Sequence, residues 1–68
     1  MNQWYLLYST TQFAEANIVK GVLEENNIPV QLLNKQDSSY LVFGEIELYV
    51  PGHLKEIAQR LLNKALLN

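Results

Sequence analysis

Apolar residues recur along this chain at two spacings, one helical and one strand-like. From Phe13 to Pro29, FAEANIVKGVLEENNIP, the spacing predicts one amphipathic helix. On a helical wheel Ile18, Val22, Val19, Leu23 and Ala16 share an arc, with Lys20, Glu24, Asn17 and Glu25 opposite. Thr11 is the expected N-cap, its hydroxyl accepting from a free amide of the first turn. Ser9 with Gln12 three residues on is an alternative capping box. Asn26-Asn27 should end the helix, because Asn tolerates the left-handed conformation of a C-cap, and Pro29 forbids continuation. A second helix is expected after Pro51-Gly52. Its stripe is Leu54, Ile57, Ala58, Leu61 and Ala65, with Lys55, Glu56, Gln59, Arg60 and Asn63 outside. Leu66 and Leu67 lie off that stripe, which fits either a frayed tail or a second contact.

Three segments read as strands. Trp4 to Tyr8 is aromatic and apolar and is bounded by Ser9-Thr10-Thr11. Ile28, Val30 and Leu32 alternate with Pro29, Gln31 and Leu33, and Ile46, Leu48 and Val50 alternate with Glu45, Glu47 and Tyr49. The segment Lys35 to Gly44 contains the turn signal Asp37-Ser38-Ser39, while Leu41-Val42-Phe43 could extend a hairpin arm. The order is β-α-β-β-α. A helical crossover makes the first two strands parallel and the connection right-handed, and the third strand most simply inserts antiparallel between them. The expected fold class is therefore α+β, a ferredoxin-like split βαβ two-layer sandwich lacking its last strand. A single domain, 1–68, is expected, with Ile18, Val22, Leu23, Ile46, Leu48 and Leu61 in one core.

Composition narrows the function classes. A chain of 68 residues buries only about 60% of its unfolded surface, and such a core supplies about 3–5 kcal/mol. Small domains often add disulfides, a metal or a partner subunit. The chain has no cysteine and one histidine, which excludes disulfides and leaves only scattered carboxylates as metal ligands. No metal or organic cofactor is expected, and self-association becomes the remaining support. A net charge of −2 and a pI near 5.1 give no field for a phosphate backbone, so no nucleic acid is expected. The longest apolar run, Trp4 to Tyr8, has five residues, short of the ~20 that span a bilayer, and Met-Asn-Gln-Trp does not resemble a signal peptide. A cytoplasmic protein with no membrane partner is the expectation.

A set of these positions resembles a known family. Tyr8-Ser9-Thr10, Glu15-Ala16, Leu23-Glu24 with Ile28-Pro29-Val30, then Glu47-Leu48-Tyr49-Val50-Pro51 and Ala58 are similar to the bacterial "putative prokaryotic signal transducing protein" family, formerly a domain of unknown function. The likeness runs from about Trp4 to Leu62 and rests mostly on core and turn positions. It implies a fold like that of the nitrogen-regulatory PII (GlnB-like) proteins and a role in signal transduction. The chain lacks the long nucleotide-binding loop and the basic phosphate-binding residues of those proteins, so sensing of ATP or 2-oxoglutarate is not implied.

Candidate chemistry is sparse, and each candidate has a plain structural reading beside it. Glu15 falls among apolar residues on the wheel, as a raised-pKa acid or ligand would. The plainer reading is preferred, that a first-turn carboxylate is favoured by the helix dipole and by free amides. His53 could face an anion at the start of the second helix, or it is simply solvated there. Lys35, Ser38 and Ser39 could hold a small anion in the only dense polar loop, although no glycine lies within Lys35–Tyr40 to let the backbone wrap a phosphate. Trp4, Tyr5 and Tyr8 on the first strand and Tyr49 on the third place aromatics on both faces of the sheet. Two helices can cover only one of these faces, which suggests a protein contact, although the strand propensity of aromatic residues accounts for them equally well. The first strand also lacks lysine, proline and inward charge, the usual protections of an edge. The expectation is a small regulatory or protein-interaction module without catalysis of its own. It should form a homodimer through Trp4, Tyr5, Leu6 and Tyr8, or bind an unidentified protein partner. The alternative is a small-ligand (anion or metabolite) sensor using the 35–44 loop and the helix start at His53.

Overall fold

The computed structural model describes residues 3–35 and 44–66. The elements follow the order β1 (Trp4–Thr10), α1 (Phe13–Glu25), β2 (Gln31–Asn34), β3 (Ile46–Pro51), a 3-10 turn over Gly52–Leu54, and α2 (Lys55–Leu66). The sheet order is β1-β3-β2, with β3 antiparallel to both neighbours. β1 and β2 are thus parallel to each other, as a crossover through α1 requires. This is a small ferredoxin-like α+β fold without a fourth strand among the described residues.

Strand β3 is the spine of the core. Its inward residues Ile46, Leu48 and Val50 are fully buried, and the period-2 alternation sends Glu47 and Tyr49 to the other face. Ala16, Val19 and Leu23 of α1, Ala58 and Leu62 of α2, Leu7 and Ile28 complete the buried cluster. Tyr8, Val30, Leu32, Leu54 and Leu61 pack against it half-buried. Ile28, Val30 and Leu32 therefore point inward as their alternation predicts. Regular strand pairing nevertheless begins only at Gln31. Pro29 and Pro51 explain the late start. Extending the β2–β3 register would oppose these two residues, and neither has an N–H to donate.

Two helix faces differ from the wheel. Ile18 is 63% exposed, whereas Ala16 and Leu23 are fully buried, so α1 is rolled towards Ala16. Ile57 is likewise exposed, and Leu62 takes its place in the core. Each helix packs against the sheet and the other helix together, and its small buried alanine permits close approach. A wheel ranks hydrophobicity but does not contain the second helix.

The ends of α1 also refine the expectation. Gln12, rather than Thr11, occupies the N-cap position and makes no side-chain cap. Ser9 lies within β1, which removes it from a capping box. At the C-terminus Asn27 is left-handed (φ 62), as predicted. The Ile28 amide donates to the Leu23 carbonyl and the Asn27 amide to that of Glu24, which is a Schellman closure. Leu23 and Ile28 are both buried, supplying the hydrophobic contact that accompanies this motif.

Candidate functional site

The register assigns every strand residue to a face. Opposite Val50, Leu48 and Ile46 stand Tyr5, Tyr8 and Thr10, which therefore share the helix-covered side. Opposite Pro51, Tyr49 and Glu47 stand Trp4, Leu6 and Ser9, and on the far side Gln31 and Leu33 face Tyr49 and Glu47. The second face of the sheet thus presents Trp4, Leu6, Leu33, Tyr49, Gln31 and Glu47. No described element lies over it. Trp4, Leu6 and Leu33 are 42, 44 and 47% exposed, which is unusual for three large apolar residues on one small sheet. A shallow groove of about 480 Å³ runs among Trp4, Gln31, Leu32, Leu33 and Tyr49.

One end of this open face is polar. The Tyr49 hydroxyl donates to Glu47 Oε1 at 2.7 Å, and Lys35 Nζ lies 3.2 Å from the same oxygen. These two partners, Tyr49 first, hold the Glu47 carboxyl below its ordinary range, and the carboxylate raises the Tyr49 hydroxyl. The arrangement fixes Tyr49 against the sheet at the groove's edge. It also supplies the Lys35 ammonium with a counter-ion.

A second polar cluster lies on the covered side, where β1 enters α1. The Tyr8 hydroxyl donates to Glu15 Oε1 at 2.6 Å. That bond, followed by one from Thr10, lowers the Glu15 carboxyl, and the same bond raises the Tyr8 hydroxyl. The Thr10 hydroxyl oxygen accepts the Gln12 amide at 3.1 Å. Glu15 is therefore an ionised tie between strand and first helical turn, held by the Tyr8 and Thr10 side chains, and not a raised-pKa acid.

The remaining candidates are dispersed. The Lys35 amide donates to the Glu45 carbonyl just before β3, while His53 is exposed in the turn that follows β3. Lys35 and His53 consequently lie at opposite ends of that strand. Ser38 and Ser39 lie outside the described residues. Of the proposed contact residues, Trp4 and Leu6 are on the open face, and Tyr5 and Tyr8 are beneath the helices. There Lys55 Nζ stands 5.2 Å from the centre of the Tyr5 ring. Gln31 and Leu33 complete the open face and were not singled out by the sequence. Their alternation with Val30 and Leu32 was the available signal. Among the described residues no helix is long and apolar enough to cross a membrane, and no three potential ligands gather where a metal ion could sit.

Comparison with known proteins finds a family match. The model of the family described as "Putative prokaryotic signal transducing protein" covers residues 4–65. No curated protein and no solved structure matches the chain significantly.

Proposed function

The chain belongs to the family described as "Putative prokaryotic signal transducing protein", and from that premise we propose that it is a regulatory module which acts by binding protein. In this reading it is cytoplasmic, has no catalytic activity of its own and pairs as a homodimer through β1. The observation that carries the reading is the uncovered apolar face built by Trp4, Leu6, Leu33 and Tyr49. Aromatic residues with one polar end suit recurrent contact with another protein, because they bury large area at small entropic cost.

The sensor alternative has less support. Lys35 is engaged by Glu47, and His53 is at the other end of β3, so one ligand cannot use both without rearrangement of the sheet. The two readings separate on stability. An effector held at a hundredfold excess over Kd would raise stability by about 2.7 kcal/mol, whereas a protein-binding module gains nothing from metabolites. The test pairs urea melts against a metabolite panel with affinity capture by wild-type and Leu33→Glu baits, retained proteins being identified by mass spectrometry. Leu33 is exposed but faces Glu47 across the ladder, so the substitution opposes two carboxylates and should cost about 0.2–1 kcal/mol while leaving the domain folded. The expected result is unchanged melts with metabolites and a specific protein retained by wild type but lost with Leu33→Glu. A metabolite that shifts the melt, with no such protein, would overturn the reading.

A further inference from the structure

The backbone of β1 shows which of its groups are free. The Gln3 carbonyl accepts the Gly52 amide at 2.8 Å, so Gln3 turns its backbone polar groups towards β3. In an antiparallel pair this alternates, which directs Tyr5 inward and leaves Trp4 and Leu6 with their N–H and C=O at the free edge. Pro51 opposite Trp4 agrees with this phase, since a residue at that position owes no hydrogen bond to β1. At Leu7 the register shifts by a bulge, and beyond it Tyr8 faces Leu48 and Thr10 faces Ile46. The bulge resets the phase, so the free-edge pattern set by Trp4 and Leu6 is not continued past it.

From this geometry we infer that two copies pair β1 against β1 around a two-fold axis beside Tyr5, with Trp4 opposite Leu6 of the partner subunit. The inference rests on the interaction-module reading and names its partner as a second copy. Three points select it. Among the described residues, this register alone lets both free-edge residues of each copy exchange hydrogen bonds, giving two bonded pairs. An axis beside Leu6 would leave Trp4 facing residues past the bulge. The strand is also electrically neutral, since no charged side chain lies between Gln3 and Ala14, so no like charges of β1 itself face each other across the axis. Finally, Trp4 and Leu6 are on the same open face, so each exposed tryptophan is placed against an exposed leucine of the other copy. The two sheets become one six-stranded sheet. The apolar groove floored by Trp4, Leu33 and Tyr49 is then continued across the axis by Leu6 of the partner subunit.

The absence of native cysteine makes the register directly readable. Tyr5 of the two copies would form a non-hydrogen-bonded pair with Cα atoms about 4.5 Å apart, within the 4.4–6.8 Å that a disulfide spans. Two copies of Trp4 would be diagonal neighbours at about 7–8 Å, beyond that reach. Under mild oxidation Tyr5→Cys should therefore give a covalent dimer, and Trp4→Cys should remain largely uncrosslinked. Leu6→Pro, which removes an edge amide and no bond to β3, should sediment as a folded monomer. Crosslinking of Trp4→Cys in preference to Tyr5→Cys, or a Leu6→Pro protein still dimeric, would overturn the register. Wild-type protein that is monomeric and Tyr5→Cys that never crosslinks would overturn the pairing altogether. Capture of another protein by the open face would still be tested separately by Leu33→Glu.

Discussion

Leu23 and Ile18, both members of the predicted apolar arc of α1 but towards its opposite ends, have opposite fates in the fold. Leu23 is fully buried among residues of both layers, so Leu23→Ala should cost about 2–5 kcal/mol through lost transfer energy and a residual cavity. That is most of what a domain of this size commands. Ile18 is exposed, so Ile18→Ala should cost under about 0.5 kcal/mol, as should Glu24→Ala. Urea melts of the three variants check the orientation of the helix. Titration offers a second test on single residues. Glu15 and Glu47 both have folded pKa values lowered by hydrogen-bond donors, Tyr8 first for Glu15 and Tyr49 first for Glu47. A lowered carboxyl binds fewer protons folded than unfolded. Its contribution is complete above the ordinary carboxylate value of about 4.3 and is lost as pH falls through the lowered one. Tyr8, raised chiefly by the bond to Glu15, contributes below the ordinary tyrosine range and loses that contribution as pH rises through its folded value. Tyr8→Phe should therefore weaken both the acid-side decline due to Glu15 and the alkaline decline due to Tyr8. Chemical melts from pH 2 to 11 measure both arms, and unaltered arms in Tyr8→Phe would contradict the assigned tie.

The elements were legible in the sequence to different depths. β3 could be read completely, because alternation of Ile46, Leu48 and Val50 with Glu47 and Tyr49 reflects a strand with one face in the core. The end of α1 was equally readable, since Asn27 takes the left-handed cap that few residues tolerate. The start of α1 was not. Thr11 and the Ser9–Gln12 capping box offered rival starts, and the structure instead has Thr10, whose hydroxyl serves the Gln12 amide and Glu15 from the strand side. Helix rotation was illegible for a related reason. The exposure of Ile18 and Ile57, both in the predicted stripes, is set by packing between elements distant in sequence. Two backbone predictions belong here. Gly21 is exposed within α1, and a Cβ there would meet nothing within 4 Å. Gly21→Ala should therefore stabilise the protein by about 0.5–1 kcal/mol in thermal or urea unfolding. At Asn27, Asn27→Gly should be neutral or mildly stabilising, whereas Asn27→Val should cost about 1–2 kcal/mol because a β-branched side chain strains a left-handed residue. Equal melts for the two substitutions would show that this cap does not constrain the helix end.

At the scale of the molecule, the topology follows from two local facts, a helical crossover and a β2–β3 hairpin, and both could be read before any coordinates. The composition of the open face could not. Trp4 and Tyr5 are adjacent aromatics of similar exposure, yet one belongs to the open face and the other lies under Lys55. Only the cross-strand register separates them. The free edge of β1, the bulge at Leu7 and the open face together are the features on which the proposed pairing of two copies rests. Sedimentation equilibrium of the untagged wild-type chain at tens of micromolar addresses this directly. Assembly through β1 requires a species of twice the 7.8 kDa chain mass, dissociating on dilution and absent in Leu6→Pro. A single species of the chain mass throughout that concentration range would contradict it.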